Sequence, residues 1–273
     1  GIIMFLWATC GLVSFFHGQN DGQKGVGLVM MILIAIMPAY FSLDKDINLQ
    51  SINANVMVIE KIISATDTTQ FGKEEFKNYY SIKKHAQHFA EATIGKTFSE
   101  GIAATDRFEL RKDIEKVTKS AEKLLKSENV DISIAETKSL KKEIDNAKKL
   151  VEFAPSWVII MISICLGLGT MIGWKRIVKT IGEKIGKQHM SYAQGASAEI
   201  VAAIGIGVAT AYKAPVSTTH MLSSGIMVSM LAKKRLKNLQ RGTITNILLA
   251  WVLTLPVTII LSGGLFLLFR AIL

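Results

Sequence analysis

The apolar residues of this chain fall into two long blocks separated by a polar middle section. Residues 1–43 and 153–273 are strongly hydrophobic, whereas charged and apolar positions alternate through residues 44–152. Hydrophobic blocks of this kind predict membrane-spanning helices, and the middle section predicts a soluble helical insertion. We therefore expect an all-α, polytopic membrane protein whose three parts are 1–43, 44–152 and 153–273.

A short polar stretch interrupts the first hydrophobic block. The apolar runs on its two sides carry no charge, but Asp21 and Lys24 lie between them. Ionisable groups at membrane depth are costly and usually line a polar cavity. Three glycines fall in the same stretch, and broken helices expose backbone groups to the substrate in many transporters. The pattern predicts a break, with 1–16 as a truncated span or one limb of a re-entrant hairpin and 22–43 as the second limb.

The middle section has the periodicity of amphipathic helices. Apolar residues recur at helical spacing, as at Val56, Ile59 and Ile63. This spacing predicts three to four helices packed as a small bundle or hairpin, with a loop at 126–136.

Two histidines of the middle section are candidates for a metal site. His85 and His88 lie three residues apart and would share one face of a helix. Zinc sites usually use three or four protein ligands, and no third ligand is evident here. We therefore expect a solvated helix face and no bound metal.

The second hydrophobic block contains two short basic segments, 175–187 and 233–241, that bracket residues 190–231. Short loops rich in Lys and Arg favour the cytoplasmic side, so an even number of crossings or a re-entrant hairpin lies between them. One predicted span, which begins at Pro155, separates the insertion from the first basic segment. The insertion is therefore expected on the outer side of the membrane. A final span is predicted at 243–269.

Small residues dominate residues 190–211, where alanine and glycine recur at helical spacing. Small side chains let helices approach closely within a membrane. Gln194 and Glu199 are polar exceptions in this stretch, and Lys213-Ala214-Pro215 predicts that the helix ends there.

The net charge of +10 belongs to the membrane blocks, because residues 44–152 contain 19 Lys plus Arg and 19 Asp plus Glu. Positive charge of this origin indicates membrane topology rather than binding of nucleic acid. Cys10 and Cys165 show neither metal nor disulfide spacing and are interpreted as small apolar fillers. Since the chain begins inside a hydrophobic run and without Met, we expect a fragment that lacks an N-terminal portion.

Three consecutive hydroxyl residues follow Pro215 at the predicted start of a helix: Ser217, Thr218 and Thr219. One interpretation is an N-cap formed by Ser217. The other is an oxyanion site, because free N–H groups and the positive end of the helix dipole would face a ligand beside the hydroxyls. Sequence spacing leaves both interpretations open.

The polar stretch of the first block offers complementary groups. Asn20 can donate two hydrogen bonds to an anion, and Asp21 could carry a proton or hold a coupling cation beside the substrate. Lys24 could neutralise charge, or simply form an i,i+3 ion pair with Asp21. His17 and His220 could titrate near neutral pH or be ordinary hydrogen-bonded residues.

An enzymatic interpretation would combine Ser217, His220 and Asp21 as a hydrolase triad. Ser217 lacks the Gly-x-Ser-x-Gly turn that presents such a nucleophile in many hydrolases. We therefore expect neither catalysis nor a cofactor.

Two motifs resemble those of a known family. Gly18-Gln19-Asn20-Asp21, followed by Gln23-Lys24, and Pro215-Val216-Ser217-Thr218-Thr219-His220 resemble the two motifs of the PiT inorganic phosphate transporters. Segments 173–186 and 192–195 are similar to the bacterial low-affinity members of that family.

The resemblance implies two inverted repeats around a phosphate site, of which this chain carries the C-terminal one. Phosphate contacts are implied for Asn20, Ser217, Thr218 and Thr219. A role with the coupling ion or proton is implied near Asp21, with Gln23, Lys24, Gln194 and His220 as further candidates.

The resemblance also bears on coupling and partners. Many sodium-coupled members have Asn-Ala where this chain has Gln23-Lys24, which favours symport with protons or of metal phosphate. The implied partners are phosphate, a coupling cation, the inner-membrane bilayer, the N-terminal repeat and a second copy of the chain. A sulfate or other oxyanion permease is the alternative substrate class. A membrane-anchored interaction module, working through 44–152, is the alternative of another class.

Overall fold

The computed structural model of this protein describes residues 1–187, 189–234 and 239–272, most of which are helical. The helices are α1 Ile2–Ile36, α2 Pro38–Phe41, α3 Leu49–Ala65, α4 Lys73–Thr93, α5 Arg107–Lys126, α6 Ile134–Lys148, α7 Ser156–Glu183, α8 Tyr192–Ala211, α9 Thr218–Lys234 and α10 Arg241–Ile272. A 3-10 turn covers Ser99–Gly101. Only an isolated bridge between Gly186 and Leu239 has β geometry among the described residues.

Four helices have the length and composition of membrane spans: Ile2–Ile36, Ser156–Lys175, Tyr192–Ala211 and Arg241–Ile272. Most of their large apolar side chains are exposed, as expected for helices whose neighbours are lipid tails. The prediction of an all-α, polytopic membrane protein is therefore confirmed.

The break predicted at residues 17–25 was wrong. Helix α1 runs from Ile2 to Ile36 without interruption, so the expected limbs belong to one helix. His17 and Lys24 lie four and three residues from Asp21 and pair with it along the helix surface. Because these side chains satisfy one another, the backbone need not open. The helix ends just before Pro38, which begins α2.

Contacts divide the chain into two compact units, residues 26–158 and residues 1–25 with 159–273. In the first unit, α3 to α6 form a four-helix bundle, which confirms the prediction from periodicity. Its core is built from one apolar face of each helix, including Val56, Ile59, Phe89, Ile114 and Leu140. The predicted loop is shorter than expected, since α5 ends at Lys126 and α6 begins at Ile134.

In the second unit, α8 and α9 form a hairpin joined by residues 212–217. A Cβ atom on Gly225 of α9 would lie 3.1 Å from the carbonyl oxygen of Ala198 in α8. Small residues thus allow close backbone approach, as predicted.

The segment that precedes α8 lies beside the segment that follows α9. Gln240 donates from its backbone N–H to the Ile185 carbonyl at 2.9 Å, and from its side chain to the Gly186 carbonyl at 3.3 Å. This pairing agrees with an even number of passes between the two basic segments. Part of the second segment, 235–238, lies outside the described residues.

Candidate functional site

The polar residues of α1 form a cluster of contacts centred on Asp21. His17 Nε2 lies 2.7 Å from Asp21 Oδ2, and Lys24 Nζ lies 2.8 Å from Asp21 Oδ1. The i,i+3 pair of Asp21 with Lys24 that the sequence suggested is therefore present. The Lys24 ammonium balances the carboxylate and the His17 ring contacts it, which lowers the cost of holding the carboxylate within a membrane span.

The second motif lies where the chain turns from α8 into α9. Lys213 follows the helix with a φ of 55°, in the left-handed region. The Lys213 N–H bonds to the Thr210 carbonyl at 3.0 Å, and the Ala214 N–H bonds to the Ala209 carbonyl at 2.8 Å. These two bonds form a Schellman motif, which satisfies the last carbonyls of α8.

Ser217 caps the helix that follows. Its Oγ accepts a hydrogen bond from the His220 backbone N–H at 3.3 Å, and α9 begins at the next residue. The N-cap interpretation of Ser217 is therefore correct. A cap of this kind satisfies one of the free N–H groups at the start of α9 and leaves others available.

The two motifs contact each other directly. Lys24 Nζ donates to the Val216 carbonyl, and Thr218 Oγ1 donates to Asp21 Oδ2 at 3.4 Å. Asn20 Nδ2 bonds to the Ala214 carbonyl at 3.4 Å. Residues almost 200 positions apart thus meet in one polar cluster, which we call the motif junction: Asn20, Asp21, Lys24, Ala214, Val216 and Thr218.

Asn20 is the most enclosed member of the motif junction, with 2% of its surface exposed. Its amide also donates to Thr210 Oγ1 at 3.1 Å, so both amide hydrogens are directed at the end of α8 and the turn after it. The buried Oδ1 has no hydrogen-bond partner among the described residues. The Ala214 carbonyl can only accept, which supports this placement of the amide nitrogen and oxygen. A buried acceptor without a donor is costly, so an O–H from a water molecule or from a ligand would stabilise it.

The other predicted site residues near the two motifs differ in exposure and in their contacts. Ser217 and Thr219 are exposed beside the buried Thr218. Gln23 is also exposed, and its side chain forms no hydrogen bond with the described part of the chain. The His220 ring packs on Trp251 of α10, with ring centroids 4.0 Å apart. Since Asp21 pairs with His17 and the ring of His220 packs on Trp251, these side chains do not assemble a hydrolase triad.

Gln194 lies away from the motif junction. It closes a capping box with Ser191 at the start of α8 and donates to the Ser229 carbonyl of α9 at 2.9 Å. Sixteen residues separate it from Thr210 at the other end of the helix, which corresponds to roughly 24 Å. The structure therefore gives Gln194 a capping role and does not bring it to Asp21.

Two polar contacts escaped the sequence analysis. Thr210 was hidden in a helix of small residues, although it is the partner of Asn20. Glu199 stood out only as a polar exception, and its partner is the buried Thr9, whose Oγ1 donates to Glu199 Oε2 at 2.5 Å. A hydroxyl residue within an apolar span was the available signal in both cases, but it does not name the partner.

The histidines of the bundle have an acidic partner that their spacing did not reveal. Asp113 is 4% exposed, and its two oxygens lie 2.7 Å from His85 Nδ1 and 2.5 Å from His88 Nδ1. The hydrogen bond and charge of Asp113 raise the pKa of His88 above its ordinary value. The expectation that His85 and His88 lie on a solvated helix face is thus only partly correct. No group of three or more potential metal ligands occurs among the residues that the structure describes.

Comparison with known proteins identifies the family to which this sequence is similar. The sequence model of the phosphate transporter family matches residues 2–262. The low-affinity inorganic phosphate transporter of Buchnera aphidicola subsp. Acyrthosiphon pisum is 39% identical over 93% of this chain and 54% of its own length. The Escherichia coli (strain K12) low-affinity inorganic phosphate transporters PitA and PitB are 36% and 37% identical, again over 93% of this chain and 54% of each relative.

The chain thus spans about half the length of these curated relatives. No solved structure matches it. The relatives are named as transporters, in agreement with the expectation that the chain is not an enzyme. The family match extends over nearly the whole chain and includes both motifs of the junction, so this chain belongs to the phosphate transporter family.

Proposed function

We propose that this chain is part of an inorganic phosphate transporter and that the motif junction borders its phosphate site. The observation that carries the proposal is the direct contact between the two motifs, in which Thr218 of α9 donates to Asp21 of α1. Single-motif explanations, such as a helix cap or an isolated ion pair, do not require that contact. The relatives' names supply the substrate class.

The start of α9 has the chemistry of an oxyanion site. Backbone N–H groups and the positive end of the helix dipole lie there, and the exposed hydroxyls of Ser217 and Thr219 can donate beside them. Lys24 lies at the same place and its ammonium pairs with Asp21. The carboxylate therefore does not oppose an approaching anion with its full charge.

The buried acceptor of Asn20 favours phosphate over sulfate. Inorganic phosphate keeps at least one O–H near neutral pH and can donate to Asn20 Oδ1, whereas sulfate has no hydrogen to offer. A site built to hydrogen-bond a substrate O–H discriminates strongly against an analogue that lacks it. In the proposed site Asn20 therefore acts as an acceptor toward the ligand, since its amide hydrogens are engaged by Thr210 and Ala214.

Coupling is proposed to proceed through Asp21, with protons or metal phosphate rather than sodium. The carboxylate is joined to His17, Lys24 and Thr218, so a sodium ion that bound directly to Asp21 would have to replace one of these partners. A proton can be exchanged within the cluster without that displacement. Phosphate uptake should fall when a protonophore is added and should persist when sodium is replaced, and strict sodium dependence would contradict this.

The test of the site is phosphate uptake by cells that express the intact transporter. Asn20→Ala and Thr218→Ala should each reduce uptake at least about tenfold, as expected for loss of a hydrogen bond to a charged ligand. Thr258→Ala, at an exposed position of α10, serves as the matched control. If both variants transported at the parent level, the site assignment would be wrong.

The remaining features of the proposal concern topology and partners. We infer an inner-membrane location with the bundle on the outer side, an N-terminal repeat that completes the site, and a second copy of the chain as a further candidate partner. The size of the bundle, which extends from Leu49 to Lys148, favours one other candidate function, a membrane-anchored interaction module. Deletion of residues 48–150 separates the two, because a transporter should keep much of its uptake, whereas an interaction module should lose its partner.

A further inference from the structure

A cavity of about 600 Å³ lies where two membrane spans end within the unit formed by residues 26–158. Its lining residues come from two segments: 37–46, which follows α1, and 153–157, which leads into α7. Both helices are candidate spans. The lining segments therefore adjoin the ends of two candidate spans, and the ends of spans are where a chain leaves the hydrocarbon for the head-group layer.

The walls of the cavity are aromatic. Tyr40, Phe41, Phe153 and Trp157 all line it, and Tyr40 and Trp157 are at least half exposed. Tyrosine and tryptophan are enriched at the membrane–water interface, where the ring meets acyl carbons and the polar atom meets head groups. This lining suits an amphiphile better than a soluble ion.

The charged groups of the cavity have both signs. Asp44 and Asp46 supply two carboxylates, and Lys45 supplies one ammonium. Lys45 Nζ lies 5.4 Å from the centre of the Tyr40 ring, which holds the ammonium over an aromatic wall. Two carboxylates next to one ammonium complement a ligand that carries a positive group beside a phosphate.

The walls are held together by the bundle. The Asp44 N–H bonds to the Leu150 carbonyl at 2.9 Å. Arg111 of α5 donates to the Ser42 carbonyl at 3.2 Å and to the Val151 carbonyl at 2.7 Å. One guanidinium therefore joins the outgoing and returning chain, so the cavity is preformed rather than assembled by its ligand.

From these observations we infer that the cavity binds the head group of a zwitterionic aminophospholipid. Asp44 and Asp46 accept hydrogen bonds from its ammonium, Lys45 pairs with its phosphate, and the aromatic walls contact its glycerol and upper acyl carbons. An anionic lipid without an ammonium would meet two carboxylates and is disfavoured. This site shares no residue with the motif junction, and the inference does not depend on the transported substrate.

The test measures lipid binding to the full chain in detergent by native mass spectrometry, with phosphatidylethanolamine and phosphatidylglycerol of identical acyl chains. Phosphatidylethanolamine should bind at least about fivefold more tightly. The double variant D44N/D46N should reduce its affinity about tenfold, as expected for loss of charge-assisted hydrogen bonds. Glu128→Gln, an exposed acidic position in the loop after α5, is the matched control and should change nothing.

Lys45→Gln provides a second variant that leaves the carboxylates in place. It should weaken both lipids, because both carry a phosphate, and should preserve the preference for ethanolamine. Equal affinity of the two lipids for the parent chain would overturn the inference, and so would an undiminished preference in the D44N/D46N variant. If the double variant fails to fold, the Lys45→Gln variant decides. Loss of its preference for phosphatidylethanolamine over phosphatidylglycerol would overturn the inference.

Discussion

Asn20 in α1 and Thr210 in α8 are joined by a side-chain hydrogen bond of 3.1 Å, although 190 residues separate them. Both residues are buried. The bond holds the Asn-Asp motif against the end of the helix that precedes the Ser-Thr-Thr motif. It thereby orients Asn20 so that its oxygen, rather than its nitrogen, remains without a partner among the described residues.

Replacing Thr210 with valine should weaken this arrangement. Thr210→Val keeps the side-chain shape but removes the acceptor, so one amide hydrogen of Asn20 stays buried and unpaired. The cost should be about 1–3 kcal/mol, seen as a lower unfolding temperature in detergent and as reduced phosphate uptake. Thr254→Val, on the exposed side of α10, should leave both unchanged. An unaltered Thr210→Val variant would mean that the bond does not position Asn20.

A second long-range contact links the same pair of helices closer to the start of α1. Thr9 donates to Glu199 at 2.5 Å, and a charge-assisted bond of this kind is stronger than a neutral one. Thr9→Val should therefore lower the unfolding temperature, whereas Thr9→Ser, which retains the donor, should have an unfolding temperature close to that of the parent. Equal loss in the valine and serine variants would assign the effect to packing instead of the hydrogen bond.

Local patterns predicted much of this fold. The bundle followed from the spacing of residues such as Ile59 and Ile114, because each helix must bury one apolar stripe. The turn after Ala211 and the cap at Ser217 followed from chemistry that acts within a few residues of the chain. Such features depend on neighbours in sequence, and the sequence displays those directly.

The contacts of the site could not be predicted in the same way. A polar residue within an apolar span signals a need for a partner, but Asn20 and Thr210, like Thr9 and Glu199, find theirs 190 residues away. The continuity of α1 was missed for a related reason. Whether Asp21 opens the helix or is neutralised along its surface depends on rotamers of His17 and Lys24 that composition does not specify.

Close packing of α8 against α9 gives a steric prediction. A Cβ atom on Gly225 would lie 3.1 Å from the carbonyl oxygen and 3.3 Å from the Cα of Ala198. Because both are backbone atoms, the helices would have to separate, and Gly225→Ala should destabilise the protein by about 1–3 kcal/mol. Gly264→Ala is the control, since a Cβ atom at that position would meet nothing within 4 Å in the described part of the chain and alanine favours helix. Thermal unfolding in detergent measures both.

The bundle should lose stability as the pH rises past the titration of His88. Hydrogen bonding and charge from Asp113, with smaller contributions from Glu109 and Glu91, raise the pKa of His88 above its ordinary value of 6.5. When the pKa of a histidine is higher in the folded state than in the unfolded state, its protonation stabilises the fold. This stabilisation is complete at a pH below the unfolded-state pKa and is lost as the pH rises through the folded-state pKa. His88→Gln should therefore destabilise the bundle most below pH 6.5.

Limited proteolysis of the bundle at stepped temperatures, repeated between about pH 5.5 and 8.5, measures this dependence. The difference between the parent and His88→Gln should shrink toward the alkaline end. Lys84→Gln, an exposed position on the same helix, should show no such trend. A parent–variant difference that stayed constant with pH would contradict the role of the protonated imidazole.

The turn between α8 and α9 contains Lys213, a residue in a backbone conformation that is unfavourable for side chains with a Cβ atom. Lys213 adopts a φ of 55°, a conformation that costs residues with a Cβ about 1 kcal/mol and costs glycine little. Lys213→Gly should therefore raise the unfolding temperature, with a gain partly offset by the greater freedom of glycine in the unfolded chain. Lys213→Ala removes the same charge but keeps the Cβ, so the comparison between the two variants isolates backbone strain. If glycine and alanine gave the same unfolding temperature, the left-handed turn would not be strained, and the orientation of the Ala214 carbonyl toward Asn20 would have to be maintained by contacts outside the turn.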